Sequence, residues 1–395
     1  MDILMLHPHD IYSSSEPWTI RIRRIADEFI KKGHSVRLVY FPQDKNDAYK
    51  ERVENGIKIY SMSRRVGIFS FFRNIIRIAR LSRECDVVHF QKCHYNVSLP
   101  ALIASFIHNK PLHYDWDDWE TKIFYYSNPH QRVVGEFINL FERLMPRLVH
   151  TISVSSNRIK DLCIERGAEI KNIFSAPVGS RLKTLKNNDN NIEKIKKSYN
   201  ITDSLVLYVG QLHGGQYAEL FIKAACIVIE SGFDAHFMVV GDGYKMLELK
   251  SLAKKLNMAT HFIFTGAVKH DVVSDYILAA DICIACFDDN DITRCKSPLK
   301  VVEYLSCGKP IVASNVGEVR NMVGGVGLLV KPGCAKSLAH GIMNILKDDI
   351  LKANLNGWGR ERVRRKYNWE ITSDNILQAY RRACQLNRKL KKRRC

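Results

Sequence analysis

The sequence predicts an α/β protein with two doubly wound parallel-sheet domains. Short apolar runs alternate with segments of helical period along most of the 395 residues, which is typical of parallel strands joined by crossover helices. The length suits two domains of ordinary size. The alternation breaks at the Lys- and Asn-rich stretch 182–198, which we interpret as a linker.

The first half contains apolar runs that predict strands, separated by segments whose apolar residues recur with helical spacing. The predicted strands are 3–6, 36–40, 86–90, 111–114, 150–154 and 172–176. The predicted helices are 19–31, 68–82, 98–108, 133–144 and 156–165.

The second half repeats the pattern, with a helical segment after each apolar run. The predicted strands are 205–209, 235–240, 261–264, 282–286, 311–313 and 327–330. We expect the two sheets to meet across a cleft. Ligands of open α/β sheets bind beyond the carboxyl ends of the strands, so functional residues are expected just after strands.

The charge of the chain predicts a polyanionic partner. Sixty Lys and Arg against 41 Asp and Glu give a formal net charge of +19, which suits nucleic acid, an anionic membrane face or a phosphorylated substrate. The basic end, residues 388–394, is predicted to be a mobile tail. The apolar runs are too short to cross a bilayer and no signal peptide is recognisable. We therefore expect a cytoplasmic protein, with peripheral binding to the inner face of the membrane as an option.

The eleven cysteines do not indicate a metal site. Cys283 and Cys286 form the one C-x2-C pair, and it lies in a predicted buried strand. Residues three apart on a strand face opposite sides and cannot chelate one ion together. We expect reduced, packed thiols and no bound metal.

The segment 297–304 (Ser-Pro-Leu-Lys-Val-Val-Glu-Tyr) predicts an anion site. Ser297 is a favoured N-cap and Pro298 a favoured first helical residue, which places Lys300 in the first turn, where the helix dipole disfavours a cation. A bound anion would reverse that effect, and Glu303 could accept hydrogen bonds from hydroxyls of the same ligand. The alternative is an ordinary surface pair between Lys300 and Glu303.

Glycine-rich turns follow two predicted strands of the second half. Gly210 begins the turn of 207–216, and Gly241, Asp242 and Gly243 follow the next strand. Glycine lets a backbone approach a phosphate closely. Strand-to-helix turns also need glycine for conformation alone, so both interpretations stay open.

Together, these features resemble the C-terminal half of the family 4 glycosyltransferases, which have the GT-B fold. The resemblance runs over about 205–380 and is most specific at 297–314, Ser-Pro-Leu-Lys-Val-Val-Glu-Tyr-Leu-Ser-Cys-Gly-Lys-Pro-Ile-Val-Ala-Ser. It implies an acceptor domain (1–183), a donor domain (184–372) and a final helix of about 374–386 within 373–395 that crosses back to the first domain. It also implies transfer of a sugar from a nucleotide diphosphate-sugar, with retention and without a required metal or other cofactor.

The resemblance also implies roles for residues. Lys300 would neutralise the diphosphate, and Glu303 would bind the ribose hydroxyls. The donor site implied by the motif positions comprises Gly210, Gln211, Gln216, Gly241, Asp242, Gly243, Gly266, Cys295, Ser297, Lys300 and Glu303.

The sequence departs from the family pattern where charge matters most. Cys295 stands where the family usually has the first Glu of Glu-x7-Glu, and Gln211 and Gln216 stand where it has Arg and Lys. As substitutes for the missing cations we consider Arg21, Arg294 and Lys296, each of which could equally form an exposed salt bridge.

In the first half, Asp117 takes the position where many relatives have a catalytic histidine. A carboxylate there could accept the proton of the acceptor hydroxyl or stabilise oxocarbenium charge, with Asp115 orienting it. Asp117 could instead cap the next segment. His94 also follows a strand, as a further candidate site residue or as a structural histidine.

The segment 68–83 is strongly amphipathic. Ile68, Phe71, Phe72, Ile75, Ile78 and Ala79 share one face, opposite Arg73, Arg77 and Arg80. An ordinary helix would pack the apolar face on the sheet. The basic face, with the basic end of the chain, could hold anionic lipid, so we prefer a lipid-linked or glycan acceptor.

Two other functions stay open. A chain without the first motif Glu and two phosphate cations could be an epimerase or a nucleotide-sugar-binding protein with little turnover. A nucleic-acid-binding protein would suit the charge, but the basic residues are not interleaved with exposed aromatics and no recognition motif appears. We therefore expect no nucleic-acid partner.

Overall fold

The chain folds into two compact units in the computed structural model. Unit 1 comprises Met1–Val178 and Trp369–Cys395, and unit 2 comprises Gly179–Asn368. The sequence places these boundaries after 183 and after 372. The structure describes residues 1–13, 19–65, 67–180, 189–213 and 217–394. No helix among them combines the length and apolar character needed to cross a bilayer.

Unit 1 contains an eight-stranded sheet in the order β3-β4-β2-β1-β5-β6-β7-β8, parallel except for the β3–β4 pair. Its strands are β1 (Asp2–Leu6), β2 (Ser35–Tyr40), β3 (Glu51–Glu54), β4 (Ile57–Ser61), β5 (Val87–Gln91), β6 (Leu112–Trp116), β7 (Thr151–Val154) and β8 (Ile173–Ser175). The connecting helices are α1 (Ile20–Lys31), α2 (Ile68–Ser82), α3 (Tyr95–His108), α4 (Glu120–Ser127), α5 (Arg132–Leu148) and α6 (Asn157–Glu165).

Three of these elements, β3, β4 and α4, were not expected from the sequence. The hairpin of β3 and β4 turns at Asn55 and Gly56, with φ of 50° and 81°. An Asn-Gly pair is the usual signal for such a turn. It was hidden because β3 is charged and mostly exposed, so an apolar run does not mark it.

Unit 2 contains a six-stranded parallel sheet in the order β11-β10-β9-β12-β13-β14. Its strands are β9 (Ser204–Val209), β10 (Ala235–Val240), β11 (Phe262–Gly266), β12 (Ile282–Ala285), β13 (Ile311–Ser314) and β14 (Leu328–Val330). Its helices are α7 (Asp189–Ser198), α8 (Ala218–Glu230), α9 (Met246–Lys255), α10 (His270–Ala279), α11 (Asp291–Cys295), α12 (Leu299–Cys307), α13 (Gly317–Val323), α14 (Ala335–Lys347), α15 (Asp349–Leu355) and α16 (Trp358–Lys366).

The strand order of unit 2 reverses between β9 and β12, which pair in parallel. Crevices at such switch points are the usual ligand sites of open α/β sheets. Helix α7 corrects the linker prediction, because residues 189–198 are helical. The polar composition that suggested a linker is also that of a short, charged surface helix.

The last helix, α17 (Trp369–Arg394), belongs to unit 1. The hydroxyl of Tyr380 lies 2.7 Å from Nδ1 of His89 on β5, and both side chains are buried. The expected return of the chain to the first unit is therefore confirmed. Where the sequence predicts a mobile tail, the backbone is helical to Arg394. Residues 381–394 contain no Gly or Pro, and basic residues suit a helix C-terminus.

Candidate functional site

Lys300 lies in the first turn of α12, at the carboxyl edge of the unit 2 sheet. The helix begins at Leu299, so Pro298 rather than Ser297 occupies the N-cap position, and no side chain caps the helix. The predicted cap by Ser297 is therefore wrong. The Ser297 hydroxyl is buried and has no hydrogen-bond partner among the described residues, leaving the first backbone N–H groups of α12 without a side-chain cap.

The ammonium of Lys300 is buried, and no ion-pair partner for it is found among the described residues. The residue is 8% exposed, and Nζ has no hydrogen-bond partner in the described parts of the chain. Nζ lies 3.9 Å from the ring centroid of Tyr208 and 5.7 Å from that of Phe287. Burial lowers the pKa of Lys300 from its ordinary 10.5 to about 7. A buried cation of this kind is costly unless an anion joins it.

Other basic groups share the surroundings of Lys300. Lys296 also lowers the pKa of Lys300. Burial, together with Lys296 and Lys300, lowers the pKa of His213 to about 4. His213 follows β9, in the turn where the family's cations are replaced by glutamines. His213 was not among the predicted site residues, although its position after a strand was an available signal.

Glu303 pairs with a different partner from the one expected. Its Oε1 lies 2.9 Å from Nε2 of His270, at the start of α10. The alternative of a surface Lys300–Glu303 pair is wrong, because Lys300 is buried and its Nζ lacks a bonded partner among the described residues. The carboxylate of Glu303 is thus held near the helix start by an imidazole.

Cys295 and Arg294, near α12, do not suit the roles of donor ligand and diphosphate cation that were considered for them. Cys295 is 0% exposed at the end of α11, and a side chain packed in this way offers no surface to a ligand. Arg294 is exposed, and its Nε donates to Oδ1 of Asp289 at 2.6 Å. It therefore forms the exposed salt bridge that was the alternative.

The two glycine-containing turns of unit 2, after β9 and after β10, are hydrogen-bonded to each other. The N–H of Gly210 donates to the carbonyl of Val240 at 3.0 Å, and that of Leu212 donates to Asp242 at 2.9 Å. A Cβ on Gly241 would lie 1.9 Å from the Gly210 carbonyl oxygen, and one on Gly243 would lie 2.3 Å from that of Leu212. Glycine at 241 and 243 thus serves backbone packing, which was the structural alternative.

The other described turn residues, Gly266, Gln211 and Asp242, are less tightly packed. A Cβ on Gly266 would meet nothing within 4 Å, and Gln211 is half-buried beside Gly210. The side chain of Asp242, which is exposed, accepts the N–H of Gly243 at 2.7 Å. Gln216 lies outside the described residues.

Replacing Gly241 by alanine is expected to destabilise unit 2 by more than about 2 kcal/mol, because a φ of 145° is strained for alanine and the Cβ would collide with a backbone carbonyl. Gly266→Ala is the matched control, with a φ of 76° and open space around the added carbon. Urea unfolding measures both. Equal losses in the two variants would contradict the packing role of Gly241.

In unit 1, Asp117 lies just after β6 and is almost fully buried. Its Oδ2 accepts a hydrogen bond of 2.7 Å from Nε2 of Gln91, and Nδ1 of His7 lies 3.0 Å from Oε1 of Gln91. Its Oδ1 has no hydrogen-bond partner in the described structure. Burial raises the pKa of Asp117 to about 7, against the opposing influence of Lys92.

Lys92 stands among the acidic side chains that follow β6. It has a left-handed φ of 64° and is buried. Its Nζ is bonded to Glu120 and lies 3.5 Å from Oδ1 of Asp117 and 3.4 Å from Oδ2 of Asp118. These three carboxylates are close enough to hold a metal ion, but the ammonium of Lys92 already supplies a positive charge there.

Asp115 and Arg21 form a separate buried pair. Nε and Nη2 of Arg21 donate to the carboxylate of Asp115 at 2.8 and 2.7 Å. The Arg21 guanidinium lowers the pKa of Asp115 to about 2, against the effect of burial. Arg21 is therefore committed to a carboxylate of unit 1, which argues against its use as a substitute diphosphate cation. Asp115 was expected to orient Asp117. Its carboxylate binds Arg21 instead, and no hydrogen bond between Asp115 and Asp117 is found among the described residues.

His94 lies at the N-cap of α3, and its Nε2 is 3.5 Å from Oε2 of Glu120. Its ring packs edge-on against His9 at 5.2 Å, and His9 lies 5.5 Å from His7. The strand ends of unit 1 thus bring three histidines close to the acidic group around Lys92. His7 and His9 were not predicted as site residues, although they follow β1 and their position after a strand was an available signal, as it was for His213.

Comparisons with known proteins find sequence similarity in unit 2. Residues 203–348 match the family model of the group 1 glycosyl transferases. N-acetyl-α-D-glucosaminyl L-malate synthase of Bacillus anthracis is 23% identical over 191 residues, 47% of each chain. Phosphatidyl-myo-inositol mannosyltransferase of Mycobacterium leprae is 30% identical over 155 residues, 39% of each chain. The chain thus matches less than half the length of these curated relatives.

Solved structures resemble the chain over nearly its whole length. HepE of Anabaena, in complex with UDP, superposes with a TM-score of 0.74 at 17% identity, covering 96% of this chain and 99% of that one. Sucrose-phosphate synthase of Thermosynechococcus elongatus superposes with a TM-score of 0.74 at 18% identity, covering 96% and 98%. Identities this low establish the fold alone. Residues 203–348 of unit 2 are therefore similar to the group 1 glycosyl transferases, and the chain has the GT-B fold.

Proposed function

We propose that this protein is a retaining glycosyltransferase that moves a sugar from a nucleoside diphosphate-sugar to an acceptor hydroxyl. The observation that carries the proposal is the buried ammonium of Lys300 at the start of α12, where no described residue hydrogen-bonds to Nζ or caps the helix with its side chain. A diphosphate would neutralise Lys300 and accept hydrogen bonds from the first N–H groups of the helix. The solved HepE structures contain UDP and UDP-glucose, which supports a donor of this class.

Within unit 2 the donor would be held by groups of opposite character. Lys300, with Lys296 nearby, would stabilise the charge that develops on the leaving diphosphate. His213, whose pKa is lowered to about 4, would be neutral and could donate a hydrogen bond. Glu303 would accept hydrogen bonds from the ribose hydroxyls after giving up its contact with His270. Because this chain supplies the positive charge from its own side chains, we propose that transfer needs no metal ion.

In the transfer step, the bond between the anomeric carbon and the diphosphate oxygen breaks, and a bond from that carbon to the acceptor oxygen forms. With retention, the acceptor attacks from the face that the diphosphate leaves. The acceptor proton goes to the departing diphosphate or to Asp117. Oδ1 of Asp117 accepts no hydrogen bond from the described residues, although Nζ of Lys92 lies 3.5 Å away, and it can take the proton once the side chain is ionised. We propose a lipid-linked or glycan acceptor, since phosphatidyl-myo-inositol mannosyltransferases are among the relatives.

A thermal-shift panel of nucleoside diphosphates and their sugars tests the donor assignment. A ligand at a hundred times its dissociation constant adds about 2.7 kcal/mol of stability. We expect such a gain for at least one base, and a reduced gain for Glu303→Gln. Glu248→Gln, an exposed carboxylate on α9, is the matched control and should behave as wild type.

Mass spectrometry of the products then separates transfer from its rivals. Transfer yields a glycosylated acceptor and free nucleoside diphosphate in equal amounts. An isomeric nucleotide-sugar without released diphosphate would indicate an epimerase, and unchanged donor with tight binding would indicate a binding protein. Either of these two results contradicts the proposed function.

A further inference from the structure

We propose that the outer face of α2, α3 and α5 in unit 1 docks on an anionic membrane surface. Helix α5 carries an exposed apolar stripe of Val133, Phe137, Leu140, Leu144 and Leu148, the first of which is 72% exposed. The spacing of four, three, four and four residues places them within about 80° of one another around the helix. We name these five residues the α5 stripe.

The α5 stripe is not the packing face of its helix. Ile138 and Met145 fill that role, since both are buried against the rest of unit 1. Helix α5 thus has two apolar faces, one packed and one exposed. A surface helix of a soluble domain ordinarily presents one apolar face, toward the core, and large exposed apolar patches mark interaction sites.

Helix α2 extends the same kind of surface. The sequence predicts that Ile68 and Phe72 pack on the sheet, but the structure leaves both exposed, together with Phe69 at 89% and Ile76. The core contacts of α2 come instead from Ile75, Ile78 and Ala79. The predicted packing is therefore right for the second half of the helix and wrong for the first.

Helix α3 is a neighbour of both α2 and α5. It packs against α2 and against α5, and its C-terminal turn exposes Phe106 at 79% and also Ile107. Three neighbouring helices of one unit therefore present large apolar side chains to solvent. On α5 alone, five large apolar side chains share one exposed face, which exceeds the scattered single residues that protein surfaces usually show.

The charges around these helices indicate what covers their exposed apolar side chains. Arg132, Arg143 and Arg147 are exposed along one border of the α5 stripe, and Arg80 and Arg83 are exposed at the end of α2. Apolar side chains bordered by cations are the combination that binds the interface of an anionic bilayer. A second copy of the chain would bring the same arginines together, on molecules of net charge +19, which disfavours self-association.

This inference does not need the proposed transfer chemistry. If both hold, docking through unit 1 would place the acceptor side of the protein at the lipid surface, consistent with a lipid-linked acceptor. Loss of donor binding or of transfer would leave the docking proposal intact, and loss of docking would leave donor binding intact. The two can therefore fail separately.

Vesicle flotation tests the proposal on the full chain. We expect binding to vesicles of phosphatidylcholine with phosphatidylglycerol, and much weaker binding to phosphatidylcholine alone. Phe137→Gln with Leu144→Gln should weaken partitioning at least about tenfold, because apolar area no longer enters the interface. The control is Leu247→Gln with Ile350→Gln, two apolar residues of unit 2 that are more exposed than Phe137 and Leu144, and this variant should bind as wild type.

A charge-reversal pair tests the electrostatic part. Arg132→Glu with Arg143→Glu should remove most of the preference for the anionic vesicles, whereas Lys254→Glu with Lys255→Glu on α9 should keep it. Wild-type protein that does not float with anionic vesicles would overturn the proposal. So would a glutamine variant that floats as wild type does. A concentration-dependent dimer in sedimentation velocity, abolished by the same glutamine variant in place of vesicle binding, would show an interface between copies and also overturn it.

Discussion

Replacing Lys300 by methionine is expected to make the ligand-free protein more stable and to abolish its response to nucleoside diphosphates. The ammonium is buried against Tyr208 and Phe287 without a bonded partner among the described residues. One pKa unit corresponds to about 1.4 kcal/mol, so a pKa of about 7 in place of 10.5 indicates a cost of several kcal/mol. Methionine fills similar space without charge, which removes the cost and also the attraction for an anion.

The lowered pKa of Lys300 predicts the direction in which pH changes the stability difference between the wild type and Lys300→Met. The pKa of Lys300 is lower in the folded than in the unfolded protein, so the unfolded state binds more protons between pH 7 and 10.5. The stability of the wild type should therefore rise relative to Lys300→Met as the pH increases through that window. Below pH 7 the advantage of the variant should be constant and largest.

Thermal unfolding with and without the best nucleoside diphosphate measures both effects. Lys347→Met, on the exposed last turn of α14, is the control and should change neither stability nor binding appreciably. A Lys300→Met protein that is less stable than wild type, or that keeps the ligand-induced shift, would contradict the role given to this lysine.

Replacing Lys92 by methionine is expected to destabilise unit 1 by about 3–5 kcal/mol, because it removes one partner of a buried charge cluster. Its ammonium contacts Glu120, Asp117 and Asp118. The Lys92 ammonium is the largest influence opposing burial at Glu120, whose pKa is held well below its ordinary value. Lys58→Met, exposed on β4, is the control and should cost little.

The same substitution should move the pH dependence of any transfer activity. Lys92 lowers the pKa of Asp117, which burial raises to about 7. Without Lys92 that pKa should rise further, so the fall of the rate on the acid side should shift to higher pH. Lys92→Arg, which keeps the charge, should restore the profile at least in part. A profile unchanged in Lys92→Met would remove Asp117 from the proton transfer.

The fold and the motif of unit 2 were predictable because they depend on local signals. Strands of parallel sheets read as short apolar runs, and α12 with Lys300 and Glu303 reads as a motif. The secondary-structure elements that were missed lacked such signals. Helix α7 and the β3–β4 hairpin are polar or charged, so apolar periodicity does not mark them.

The sequence by itself determined the apolar strands and amphipathic helices that alternate along the chain and the motif around Lys300, because each is encoded by residues close together in the sequence. The order of the strands within each sheet, and with it the switch point between β9 and β12, depended on the tertiary structure. Only the tertiary structure decided how charges are paired. Arg21 meets Asp115 across 94 positions, and Glu303 meets His270 across 33. The tertiary structure also left α5 with a second, exposed apolar face. The physical reason is that burial and long-range pairing depend on which elements pack together, and a one-dimensional pattern does not contain that information.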